Sequence, residues 1–175
     1  MFAIVQNEVI MMLVQPGVAF EWDGNFYPAN WCNFATPEDK ASIGMVDVVY
    51  GTQASDQYYW VSEDAPVYNS ETNQVDINFT NTPKDLTTVK TGAISQINST
   101  AYSILLPTDW MVVKAIETST TVPTAWNTWR QSIRTTATTA ISSIEGAADV
   151  DAVASVIQNI VWAKDPDQLA AELEG

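Results

Sequence analysis

The spacing of apolar positions changes character near residue 82. Before that point, apolar and β-branched residues come in short runs separated by turn formers. FAIVQNEVIMML reads as two strands around Asn7-Glu8, and VAFEWDGNFYP places Asp23-Gly24 between two aromatic pairs. Asp-Gly is a strong hairpin signal, because glycine takes positive φ at little cost. MVDVVYG, QYYWVS and VDINFT supply further strands, with the turn-rich NSETNQ between the last two. One helix interrupts the series at TPEDKASIG. Thr36 is placed to cap it, Pro37 to occupy its first position, Glu38 and Asp39 to suit its positive end, and Gly44 to close it. The pattern predicts a small antiparallel sheet of five to seven strands over residues 1–81.

Beyond residue 82 the period becomes helical. Thr82 is expected to cap and Pro83 to start a helix whose Leu86, Val89, Ala93, Ile97, Ala101 and Ile104 follow at steps of three and four. Pro107 breaks it, and Thr108-Asp109 are expected to cap the short piece WMVVKAIE. Pro123 opens the next helix, with Trp126, Trp129, Ile133, Ala137, Ala140 and Ile144 as its stripe and Gly146 at its end. Asp149 and Asp151 start a last short helix, and KDPDQLAAELEG reads as a loosely held acidic tail. Two narrow stripes of similar length are the pattern of coiled-coil-like packing, within the chain or between copies. The many threonines are poor helix formers, so such helices need a partner to hold them. The expected architecture is α+β. A β-rich domain at 1–81 precedes a helical domain at 82–163 with two long, coiled-coil-like helices, and the acidic tail occupies 164–175.

Composition narrows the function. At 175 residues and 46% hydrophobic content, the chain is long and apolar enough to bury a core. It carries 21 acidic and 7 basic residues, a net charge of −14, which argues against nucleic acid and against an anionic membrane surface. Histidine is absent and Cys32 is the single cysteine, so the commonest general base, a disulfide and a thiolate metal site are all missing. The apolar run VIMMLV is too short to span a bilayer, and no Lys or Arg precedes it, so the chain reads as soluble.

Paired carboxylates are the one catalytic option left: Glu63-Asp64, Glu38-Asp39, and Asp149 with Asp151. No motif orients them, and capping or turn positions explain them more simply. The Asp-Val-Asp stretch lacks the further oxygen ligands and glycine turn of a calcium loop. The sequence therefore assigns no catalytic, cofactor-binding or metal-binding residue. Cys32 reads as a small buried hydrophobe. The aromatic stretches EWDGNFYPANW and QYYWV read as core, with a sugar-binding platform as the alternative.

WNTWRQSIR at 126–134 stands out in so acidic a chain. On a helix Arg130 and Arg134 share a face, beside Trp126, Trp129 and Ile133. Either the rings are core and the arginines pair internally, or Trp and Arg together form a binding hot spot. The motif WxxWRxxIR, followed downstream by Ile-Val-Trp (ending at Trp162) and a proline, resembles the C-terminal signature of tail fibre assembly proteins of tailed bacteriophages. Trp129 stands where that family prefers Tyr. Ala163 rather than proline follows Trp162, and the helix DVDAVASVIQ lengthens the spacing between the two halves. Members help phage fibres trimerise and fold, and some stay at the fibre tip. The resemblance implies a non-enzymatic, oligomeric assembly role without cofactors, in the virion tail or in the host cytoplasm during assembly. It implies a tail fibre or baseplate protein as partner, contacted by Trp126, Trp129, Arg130, Ile133, Arg134 and Trp162. The alternatives are a purely structural tail component and a carbohydrate-binding fibre-tip module.

Overall fold

Asn7 and Glu8 both take positive φ, 51° and 64°, and close a tight hairpin between β1 (Phe2–Gln6) and β2 (Val9–Val14). Such a turn matches the right-handed twist of its strands. The computed structural model describes residues 1–173 and divides after Thr82 into a sheet unit and a helical unit. In the sheet unit β3 (Phe20–Trp22) and β4 (Asn25–Tyr27) form the hairpin expected at Asp23-Gly24, with φ of 48° and 74° at those two residues. Helices α1 (Trp31–Phe34) and α2 (Pro37–Ser42) follow. The remaining strands are β5 (Met45–Tyr50), β6 (Tyr59–Glu63), β7 (Val67–Asn69), β8 (Gln74–Ile77) and β9 (Phe79–Pro83).

The main sheet has five strands in the order β2-β1-β5-β8-β7, while β3-β4 and β6-β9 are separate pairs. It is mixed rather than antiparallel throughout. β5 and β8 run parallel, with Val48 beside Val75 and Tyr50 beside Ile77. Parallel neighbours need a long connection, and the stretch carrying β6 and β7 supplies it. The pleat sends alternate residues to two apolar faces. Phe2, Ile4, Met12, Val14 and Met45 lie on one, covered by Phe20, Trp22, Trp31 and Cys32. Ala3, Val5, Ile10, Val46, Val48, Val75 and Ile77 lie on the other. Edge strands β2 and β7 come into contact, so the sheet curls about this second face. Gly44 is required at the end of α2: its φ is +70°, and a Cβ there would sit 2.5 Å from the Val5 carbonyl oxygen.

The helical unit contains α3 (Leu86–Leu105), a 3-10 turn (Leu106–Thr108), α4 (Asp109–Glu117), α5 (Thr124–Gly146), α6 (Val150–Gln158) and α7 (Pro166–Leu173). α3 begins later than expected. Thr82 and Pro83 end strand β9, and Asp85 caps the helix instead, its carboxylate accepting from Thr88 N at 2.8 Å. The stripes lie where the spacing put them. Ala93, Ile97 and Ala101 of α3 and Trp129, Ile133, Ala137, Ala140 and Ile144 of α5 are buried. Lys90 Nζ reaches Glu145 O at one end and Arg130 reaches Leu105 O at the other, so the two helices run antiparallel. α6 packs on both and adds Val150 and Val153, so the core is shared among three helices. Within the stretch read as a loose acidic tail, Pro166–Leu173 form α7, which contacts α5, and Glu172 pairs with Lys164 just ahead of the helix; residues 174–175 lie outside the described residues.

Two exposed caps make stability pH-dependent. The Thr36 backbone N–H and hydroxyl hold the Asp39 carboxyl below its usual range, and the Thr88 backbone N–H and hydroxyl do the same for Asp85. A carboxyl whose pKa is lowered by folding stabilises above its unfolded value, and that stabilisation is lost as pH falls through the folded value. The melting temperature is therefore expected to fall on acidification below the ordinary carboxylate range. Asp39→Asn with Asp85→Asn should flatten that part of the profile, because asparagine keeps the cap but does not titrate. An acid limb identical in wild type and variant would show the caps play no part.

Candidate functional site

The stretch WNTWRQSIR lies in the first half of α5, and its residues divide by depth. Trp129, Arg130 and Ile133 are buried, Trp126 is half-buried and Arg134 is exposed. Arg130 is only 4% exposed, and both terminal nitrogens of its guanidinium are bonded within the unit. Nη1 donates to Leu105 O at 3.1 Å and to the Thr108 hydroxyl, while Nη2 donates to Asp109 Oδ1 at 2.6 Å. Leu105 O is among the last carbonyls of α3, which have no intrahelical donor, and a cation at that end also meets the negative pole of the helix. Thr108 and Asp109, expected to cap α4, hold Arg130 instead, and Thr108 makes no side-chain cap bond. A partner would reach Trp129, Arg130 or Ile133 only by displacing these neighbours.

The two halves of the motif come together in space. Trp129 Nε1 donates to Ala163 O at 2.9 Å, which ties the segment after α6 to α5 beside the half-buried Trp162. Trp126 and Trp129 meet edge to face, with centroids 5.5 Å apart and planes at 88°. This T-shaped contact fixes one side of Trp126 and leaves the other side of the ring lining a groove. That groove, about 220 Å³, lies between α4 and the start of α5 and is lined by Trp110, Met111, Lys114, Thr121, Pro123 and Trp126. Lys114 Nζ lies over the Trp110 ring, 5.7 Å from its centroid.

α4 itself was not picked out from the sequence as a surface. None of its residues is buried. Trp110 is 56%, Val113 54% and Ile116 75% exposed, and Tyr102 and Leu106 just before it are also exposed. Large apolar side chains clustered on one exposed helix make α4 a candidate interaction surface. A signal was present: in WMVVKAIE the apolar residues cover more than one helix face, so no single packing contact can bury them all.

Three of the six candidate carboxylates have structural roles. Asp39 completes the capping box of Thr36, accepting from Thr36 N at 3.0 Å, Asp149 caps α6, accepting from Ala152 N at 2.8 Å, and Asp64 accepts from the Thr80 hydroxyl at 2.7 Å. Among the described residues, no group of three or more His, Cys, Asp or Glu side chains is placed to hold a metal ion. Cys32 is buried under the main sheet. The aromatic hairpin packs on itself: Phe20 stacks on Tyr27 at 4.7 Å, and Trp31 meets Tyr27 edge-on at 4.9 Å. These contacts use part of each ring, and Phe26 and Trp60 of the same aromatic stretches, expected as core, are exposed. No helix among the described residues is long and apolar enough to cross a membrane. No protein-family model, curated protein or solved structure matches the chain.

Proposed function

We propose that this chain is a non-enzymatic binding protein of a bacteriophage tail, which engages a tail fibre through its helical unit as assembly chaperone or bound subunit. The observation that carries the reading is the exposed apolar ridge Trp110–Val113–Ile116, which lies on the helix flanking the Trp126 groove. The tail fibre as partner rests on the resemblance of WxxWRxxIR and the downstream Trp162 segment, whose halves meet at Trp129 and Ala163. On this reading Trp126, Arg134 and Trp162 keep surface for the partner, while Trp129, Arg130 and Ile133 hold the helices that present it. The net charge of −14 supports a protein partner over nucleic acid or an anionic membrane. The protein then works in the host cytoplasm during assembly or in the virion tail.

The test is co-expression with a phage tail fibre protein and pull-down. Val113→Ser and Ile116→Ser remove apolar surface that is exposed in the free protein, so both variants should melt as wild type does. Each buried aliphatic side chain is worth about 1.5 kcal/mol or more, so each substitution should weaken fibre binding about tenfold or more. Undiminished capture of the fibre by the double variant would remove the ridge from the interface. The second reading, a structural tail piece whose helices associate by a coiled-coil-like seam between copies, draws on the same ridge. It predicts that the purified chain alone is oligomeric by light scattering and becomes monomeric in the double variant.

A further inference from the structure

We infer that the groove between Trp110 and Trp126 takes an acidic, apolar peptide segment of the partner, an aliphatic or aromatic side chain between the indoles and an adjacent carboxylate on Lys114. The inference rests on the reading of the helical unit as a protein-binding surface and specifies what it recognises.

Three features of the groove define the ligand. Its fixed wall is Trp126, braced by Trp129, which is in turn held by its hydrogen bond to Ala163 O. A wall already ordered in the free protein loses little freedom on binding. The opposite wall is Trp110, more than half exposed, and Pro123 and Met111 complete an apolar slot sized for one side chain rather than a folded surface. Charge then sets the class of segment. Lys114 opens onto the slot, and no carboxylate among the described residues lies within ion-pair distance of it. On the same helix the Asp109 carboxylate is engaged by Arg130, and Glu117, three residues beyond Lys114, makes no ion pair with it. In a chain with only 7 basic residues against 21 acidic ones, an ammonium left unpaired at an aromatic slot is complementary to an incoming anion and repels an incoming cation. Between α4 and α5 the chain carries no regular secondary structure, and the hydroxyl and backbone of Thr121 offer polar contacts to an extended segment alongside the slot.

The probe is a fluorescein-labelled hexapeptide, glycine-aspartate-leucine-phenylalanine-aspartate-glycine, against the same peptide with lysine for both aspartates, read by anisotropy with the whole chain. The acidic peptide should bind more tightly, and added salt should narrow the difference. Lys114→Gln should remove most of the preference, about fivefold for an exposed pair. Trp110→Ala should weaken both peptides about tenfold or more while leaving the melt unchanged. Equal binding of the two peptides, binding of neither at millimolar peptide, or a preference that survives Lys114→Gln would overturn the inference. If the peptides fail while the fibre is still captured through α4, the groove assignment is wrong and the proposed function stands. If the acidic peptide binds but the fibre does not, the partner is wrong and the groove stands. Competition by a peptide of residues 164–175 would identify a second copy's acidic tail, and not a foreign segment, as the occupant, and would equally overturn the inference.

Discussion

Replacing Arg130 by alanine is expected to destabilise the helical unit by about 2–4 kcal/mol, a fall of roughly 10 °C or more in melting temperature. The guanidinium bonds Leu105 O, the Thr108 hydroxyl and Asp109, which joins the end of α3, the 3-10 turn and the start of α4 to α5. Its removal takes one donor from the buried Thr108 hydroxyl and one from the Leu105 carbonyl, which keep only their bond to each other, and opens a cavity between the helices. Asp109 contributes less, because its carboxylate is half exposed and can return to water. Arg130→Lys should recover only part of the loss, since one ammonium cannot reproduce a planar fork shared among three acceptors. Asp109→Ala is also expected to destabilise, for a different reason: it strands a buried cation. Thermal melts of the three variants and of the Arg130→Ala, Asp109→Ala double variant complete the cycle. A melt for Arg130→Ala within a degree or so of wild type would show that the bonds are exchanged for water without cost. Fibre capture measured below the melting temperature then separates this internal role from any direct contact by Arg134.

Ile133→Ala is expected to cost about 2–5 kcal/mol, the cost of a cavity where the neighbours relax only in part. Ile133 has no exposed surface and sits at the middle of the stripe facing Ala93, Ile97 and Ala101. Ile133→Asp should go further and abolish the helical fold, because an unpaired carboxylate at that depth is stabilised by nothing around it. Far-UV circular dichroism and a melt decide the matter. Native helicity and an unchanged melting temperature for Ile133→Asp would mean that the stripe is no core seam, and the packing of α3, α5 and α6 on one another would have to be abandoned. The sheet unit has its own apolar faces and should keep its strands in either variant.

Features governed by a few consecutive residues are legible in the chain itself. Asp23-Gly24 makes a hairpin, Asn7-Glu8 makes another, and Thr36 with Asp39 forms a reciprocal capping box, because φ preferences and short-range hydrogen bonds act within three or four residues. The helical period marks Ile97, Ile133 and Ile144 as core for a similar reason: side chains three and four apart must share a face. Contacts between distant residues are decided only on folding. Whether Thr82-Pro83 ends a strand or starts a helix depends on β6 being there to pair with, and local signals favour the helix. The parallel pairing of β5 with β8 likewise depends on a connection whose path no local preference sets. Arg130 is the sharpest case. Its spacing from Arg134 puts both on one side of α5, yet one is buried and the other exposed. The difference comes from the end of α3 and the turn after it, whose Leu105 carbonyl, Thr108 hydroxyl and Asp109 carboxylate reach Arg130 from 21 to 25 residues away in the chain, and only once the helices have packed. The same packing leaves Trp110, Val113 and Ile116 of α4 exposed, since α3, α5 and α6 share the core among themselves. Periodicity identifies the residues that want burial; only the tertiary arrangement determines which of them are left for a partner.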